Sequence, residues 1–159
     1  TNDFKIGVVW EGNQTHEDDK KITKLRRSFP IEDFVKNFDV PNVRVISLQK
    51  NKENFNHEPK GFIEELGKDF DNKEYAFKDT VAIMDNLDLV ITCDTSVAHL
   101  ACSLNIPTWI ALKYVPDWRW LLGRETSPWY PSARLFRQPK WGDWNTVFSN
   151  MRSKLKGVM

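Results

Sequence analysis

Short apolar runs that alternate with helix-patterned segments constrain this chain more than any other feature. Lys5-Ile6-Gly7-Val8-Val9-Trp10 reads as a buried strand, ended by Glu11-Gly12-Asn13. Val43–Leu48, Leu89–Cys93 and Thr108–Leu112 have the same character, and Arg134-Leu135-Phe136-Arg137 reads as a last strand. Between them lie residues spaced for one helical face. Ser28-Phe29-Pro30 opens a helix, with proline in its first turn, and Ile31, Phe34, Val35 and Phe38 follow at i, i+3, i+4 and i+7. Asp79 and Thr80 are cap residues for a helix carrying Val81, Ile83, Met84 and Leu87. Ser96–Leu104 is helical and is stopped by Asn105-Ile106-Pro107. Asp143 caps a terminal helix with Val147, Phe148, Met151 and Leu155 at helical spacing. Two weaker patterns predict a short helix over Phe62–Lys68 and a short third strand at Tyr75-Ala76-Phe77. Lys113–Ser132 is irregular, broken by Pro116, Gly123, Pro128 and Pro131.

Strands that alternate with helices predict an α/β chain: a parallel sheet of about six strands with helices on both faces, in three α/β/α layers. The expected strand order is the doubly wound, Rossmann-like 3-2-1-4-5-6. Ligands in such sheets bind beyond the carboxyl ends of the strands, where the order reverses between the first and fourth. Two loops fall there, Glu11–Thr15 and Asp94–Ser96.

A length of 159 residues fits one domain, so residues 1–159 are expected to form a single unit. Hydrophobic residues make up 40% and charged residues 28%, with a formal net charge of +1. That balance gives no reason to expect a nucleic-acid face, so any basic site must be local. No apolar run approaches the roughly 20 residues that span a bilayer, and Thr1-Asn2-Asp3-Phe4 is no signal peptide. A cytoplasmic location is expected, and the missing initiator Met suggests a piece of something longer. The Asn13-Gln14-Thr15 sequon gets little weight without a secretory signal. The two cysteines, Cys93 and Cys102, and the three histidines, His16, His57 and His99, show no metal-ligand spacing, so neither a metal nor a cofactor is expected. Cys93 at a strand end and Cys102 two turns into the next helix are too far apart for a disulfide.

The fourth-strand loop carries the sharper chemistry. Asp94-Thr95-Ser96-Val97-Ala98-His99 runs from a buried strand straight into a helix. A helix start offers unpaired N–H groups and partial positive charge, and Thr95 and Ser96 add hydroxyls, which together make a phosphate cradle. The same residues equally make an ordinary helix cap beside a packed histidine. In the first loop, Gly12 allows close approach of a ligand, while Asn13, Gln14 and Thr15 are donors. Of the basic residues behind it, Lys20, Lys21, Lys24 and Arg26 read as a solvated face balanced by Glu17, Asp18 and Asp19. Arg27, at the mouth of the next helix, is the favoured diphosphate ligand. Tyr114, Trp118, Trp120, Trp129, Tyr130, Trp141 and Trp144 crowd one stretch. Such rings stack on bases or sugars, but for any single Trp burial in a satellite core is the better expectation.

Asp94-Thr95-Ser96-Val97-Ala98-His99-Leu100-Ala101 resembles the D-T-[small]-x-x-H-x-A signature of the heptosyltransferase family of GT-B glycosyltransferases, family nine in type. Lys5–Asn13 resembles the start of that family's C-terminal domain, and Arg27-Ser28-Phe29-Pro30 its basic-x-aromatic-Pro element, with Arg where the best-known members have Lys. Val115-Pro116-Asp117-Trp118-Arg119-Trp120, Ser127-Pro128-Trp129-Tyr130-Pro131 and Leu135-Phe136-Arg137-Gln138 look like the version fused to tetratricopeptide repeats in bacteria. The resemblance implies a C-terminal, donor-binding half that takes a nucleoside diphosphate sugar for metal-independent transfer. It implies donor or phosphate binding by Gly12, Asn13, Arg27, Asp94, Thr95, Ser96 and His99, with Asp94 and His99 as catalytic candidates. The family's acceptor site lies in a separate N-terminal domain, so the expected partners are that domain or upstream repeats. The parent is then a glycosyltransferase and this chain alone inactive; the alternative is a non-catalytic sugar-phosphate-binding or scaffold module.

Overall fold

The computed structural model describes residues 3–12, 27–50, 61–72 and 75–159. Their strands are β1 (Phe4–Val9), β2 (Val43–Ser47), β3 (Ile63–Glu64), β4 (Leu89–Cys93), β5 (Thr108–Leu112) and β6 (Ala133–Arg137). All pair in parallel, in the order β3-β2-β1-β4-β5-β6. This is the expected doubly wound α/β arrangement. The described helices are α1 (Ile31–Phe38), α2 (Lys78–Met84), α3 (Ser96–Ser103) and α4 (Trp144–Leu155). None is long and apolar enough to cross a membrane.

Strand periodicity divides the core. Ile6, Val8, Val45, Leu89, Ile91, Cys93, Trp109, Ala111 and Phe136 fall in one cluster with the apolar faces of α1 and α4. Successive strand residues point to opposite faces. The intervening Val9, Val90, Ile110, Leu112 and Leu135 therefore fall in two other clusters, with residues of α2 and α3. The first layer is aromatic: Phe29 meets Phe148 edge-on at 4.8 Å, and Phe34 stacks on Phe38 at 4.5 Å. Cys93 and Cys102 belong to different clusters and both are free. Gly7 is needed on the second face, because a β-carbon there would lie 2.5 Å from Leu87 Cδ1 and 2.8 Å from Leu48 Cδ1.

Asp143 caps α4 as expected, with Oδ1 accepting from Thr146 N at 3.1 Å and Oδ2 from the Thr146 hydroxyl at 2.9 Å. These bonds hold its carboxyl below the usual carboxylate range. Three local expectations fail. Phe62–Lys68 is not a helix: Ile63 and Glu64 pair with Val45 and Ile46 as the edge strand, and Arg44 grips Glu64 through two 2.8 Å bonds. Tyr75-Ala76-Phe77 is not a strand but the turn into α2, with Phe77 left-handed at φ 66°. Asp79 and Thr80 do not cap α2 either. The carboxylate of Asp71 does so from outside, accepting from the Asp79 amide at 2.8 Å and from the Thr80 hydroxyl. Ladder pairing and a remote carboxylate decide these segments, and neither leaves a local pattern.

Candidate functional site

Register sets the site. Val9 of β1 pairs with Thr92 of β4, so Gly12 and Thr95 lie equally far along the chain from this pair, at neighbouring carboxyl ends. Asn13, together with Gln14, Thr15, Lys20, Lys21, Lys24, Arg26, His16 and His57, lies outside the described residues.

The β1 loop is held from two sides. Gln49, buried after β2, accepts from Trp10 N at 3.2 Å and Glu11 N at 3.0 Å and donates to Glu11 O at 3.1 Å. From the other side, Phe29 N donates to Trp10 O at 3.0 Å, and Gly12 N donates to Ser28 Oγ at 3.2 Å. Ser28 thus serves the loop and not the helix, whose N-cap is Pro30. This clasp lays Arg27 over Gly12: a β-carbon on Gly12 would sit 2.5 Å from Arg27 Nε and 3.0 Å from its Cζ. The charge of Arg27 is also felt at the end of β4. Burial pushes the Cys93 thiol far above its ordinary value; the positive charge of Arg27 works against that shift, while Asp94 and Glu11 add to it.

On β4, the Thr92 hydroxyl donates to Cys93 O at 2.8 Å and lies 3.2 Å from the Thr95 hydroxyl. Thr95 is the N-cap of α3, yet its side chain makes no cap hydrogen bond. The first turn of α3 therefore gets no cap from the Thr95 side chain; the Ala98 amide donates to Thr95 O at 3.1 Å, and Ser96 is exposed. The ordinary-cap alternative fails at Thr95. One turn on, His99 Nδ1 is 2.9 Å from the Tyr130 hydroxyl, and Nε2 is 4.0 Å from Asp94 Oδ1. The imidazole stacks on Trp120 with centroids 5.0 Å apart and planes 22° from parallel. Asp94, Thr95, Ser96 and His99 therefore gather at one helix start, with Gly12 and Arg27 across the β1–β4 seam.

Sequence patterns missed three supports: Gln49, Tyr130 as the partner of His99, and Trp120 as its floor. Only the aromatic crowding after β5 hinted at the last two. Burial is split among those rings: Trp120 and Trp144 are core residues, whereas Tyr114, Trp118, Trp129 and Trp141 are exposed. The core expectation is thus wrong for Trp118, Trp129 and Trp141. The segment after β5 is nonetheless pinned. Gln138 Oε1 accepts from Tyr114 N at 3.1 Å, Arg137 Nη2 donates to Trp120 O at 2.7 Å, and Arg137 Nε donates to Arg124 O at 3.3 Å. Among the described residues no three His, Cys, Asp or Glu gather as a metal-binding group.

No family model matches this sequence, and no curated protein matches it. Among solved structures, E. coli heptosyltransferase WaaC with ADP aligns with a TM-score of 0.58 at 13% identity, over 98% of this chain and 44% of that one. The chain has a heptosyltransferase-like fold. It spans less than half the length of that neighbour, whose structure holds ADP.

Proposed function

We propose that residues 1–159 are one domain that binds a nucleoside diphosphate sugar, as the donor half of a larger glycosyltransferase. The observation that carries this reading is the Arg27 guanidinium lying over Gly12, across the β1–β4 seam from the start of α3, where Thr95 makes no side-chain cap bond. A guanidinium fork and a helix start both favour the oxygens of a diphosphate. In this reading the bare backbone of Gly12 makes room for the Arg27 guanidinium, the Ser96 hydroxyl donates to the ligand, and Thr95 shapes the turn through its bond to Thr92. Asn13 completes the same loop by sequence. The ADP in the WaaC structure is of the ligand class proposed here.

Positive charge and backbone N–H groups stabilise the diphosphate as it leaves, an electrostatic contribution to transfer. Asp94 and His99 are the catalytic candidates within the chain, but the proposed roles are to shape the loop and contact phosphate. Transfer also needs an acceptor hydroxyl and a base held close to the reacting carbon. We assign these to partner sequence beyond the residues here, such as an acceptor domain or repeats, so this chain alone binds donor without transferring sugar.

The test is thermal unfolding and calorimetry of the chain with ADP, UDP, GDP and CDP and their sugar conjugates. At least one should bind saturably and stabilise by about 2.7 kcal/mol at 100 times its Kd. Arg27→Ala should remove most of that stabilisation, and Arg27→Lys should keep part of it. Failure of every nucleotide, or binding untouched by Arg27→Ala, overturns the reading.

A further inference from the structure

His99 belongs to α3, but its ring is oriented by the segment between β5 and β6. Trp120, wholly buried, lies under it at 5.0 Å, and the Tyr130 ring meets it edge-on at 5.7 Å. The Tyr130 hydroxyl lies 2.9 Å from Nδ1. A phenol O–H is a donor, and a neutral imidazole has one acceptor nitrogen to offer it. Nε2 stands 4.0 Å from Asp94 Oδ1, too far for a hydrogen bond but close enough for the carboxylate to favour a proton there. Both neighbours therefore select the same tautomer, in which Nδ1 accepts from Tyr130 and Nε2 carries the proton. Tyr130 is itself held in place. Pro131 follows it and biases its backbone toward extended conformations, and its ring packs against the cluster of Ile110, Leu112, Trp120 and Leu135. Beside it, Trp129 N donates to the buried Ser127 Oγ at 3.2 Å, and Trp129 Nε1 donates to Arg119 O at 3.0 Å. The N–H edge of His99, whose side chain is 31% exposed, faces Asp94, the residue before the N-cap of α3.

We propose that Tyr130 is a positioning residue of the donor site: its hydroxyl holds His99 so that Nε2–H, and not a bare lone pair, meets the phosphate oxygens of the ligand at the start of α3. This inference rests on the donor-binding reading and deepens it by adding a residue from the β5–β6 segment that acts through His99. Phosphate oxygens are acceptors, so the opposite tautomer would set lone pair against lone pair. A ring already locked between Trp120 and Tyr130 also loses little side-chain freedom when the ligand arrives. A purely structural hydroxyl would instead pin its segment to α3, and its loss would weaken binding whether or not His99 were present. Dependence on His99 separates the two roles.

The test has two parts. The first is proton–nitrogen correlation NMR of the imidazoles in the ligand-free chain at about pH 8, where an ordinary imidazole is neutral. His99→Gln identifies the His99 signals among the three histidines. His99 should show a protonated Nε2 and an acceptor Nδ1, and Tyr130→Phe should move the Nδ1 resonance toward that of an unbonded acceptor. Phenylalanine keeps the packed ring, and thermal unfolding verifies that the variant is folded. A proton on Nδ1, or an Nδ1 resonance unmoved in Tyr130→Phe, overturns the proposal. The second part is calorimetry with ADP, UDP, GDP and CDP. Tyr130→Phe should weaken the binding of a nucleotide about fivefold, and should weaken the His99→Ala variant no further. Weakening by the same factor with and without His99 would make Tyr130 a prop of its segment and overturn the proposal, as would an affinity that Tyr130→Phe leaves unchanged. If all four nucleotides fail to bind, the donor reading falls, while the tautomer still decides whether Tyr130 sets the His99 ring.

Discussion

The loops that leave β4 and β5 emerge from adjacent strands at the carboxyl end of the sheet, and they are held in opposite ways. From Cys93 the chain enters α3 within three residues, and the hydroxyls that shape this crossing, Thr92 and Thr95, belong to the strand and the loop themselves. From Leu112 the chain wanders to Ala133 before rejoining the sheet, and its shape is imposed from outside. Arg137 and Gln138, at the end of β6, reach back to fix Tyr114, Trp120 and Arg124. The short loop is written where it stands, whereas the long one is written some twenty residues downstream. Both converge on His99, which the helix after the short loop carries and the long loop stacks and hydrogen-bonds.

The sharpest way to break this comparison is Trp120→Ala. The ring is wholly buried, so its loss should cost about 3–5 kcal/mol of stability in urea unfolding. A cost below about 1 kcal/mol would mean that Trp120 does not anchor the segment. Next in size is Arg137→Met. It keeps the apolar stem but strips the donors from Trp120 O and Arg124 O, a loss of about 1–3 kcal/mol. Limited proteolysis should then cut between residues 113 and 132, while amide exchange in β4 and in the body of α3 stays slow. Equal loosening of both loops would show that they are not independently held.

The smallest effect is expected at a locally written helix start. Asp143→Asn keeps the cap acceptor, so stability near neutral pH should change by no more than a few tenths of a kcal/mol. Its signature is the pH profile. The folded carboxyl of Asp143 lies below its unfolded value of about 3.9, so its contribution is fully present above that pH and is lost as pH falls through the lower, folded value. The Asn variant should lack that share of the acid-side loss; an unchanged acid limb would show that the cap does not titrate.

The same division explains what could be read from sequence. Leu89–Cys93 followed by Asp94-Thr95-Ser96 marks both a strand and a helix start, because apolar runs and the residue types that begin helices are local patterns, although Thr95 makes no cap bond. The strand order followed from alternation alone. The two-residue β3 was invisible, because Ile63 and Glu64 are a strand only by virtue of pairing with Val45 and Ile46. The cap on α2 was misassigned for a similar reason, since its carboxylate comes from Asp71 across a turn. Gln49 belongs to no strand or helix pattern, and only the fold shows it bracing Trp10 and Glu11. The exposure of Trp118 and Trp129 was unreadable because composition records that a ring is apolar, not whether anything covers it.

The pairing of Val9 with Thr92 has a consequence for how such a chain tolerates change. The gap between Gly12 and Thr95 is measured along a ladder of backbone hydrogen bonds, not along the connections between strands. Additions to a connection that leave Ile6–Val9 and Leu89–Thr92 in step therefore do not alter the gap. One residue inserted inside either paired stretch would move its loop outward by about 3.3 Å and turn every following side chain to the opposite face. Lineages of this fold are thus free to lengthen and shorten between strands while the distance across the seam is inherited unchanged.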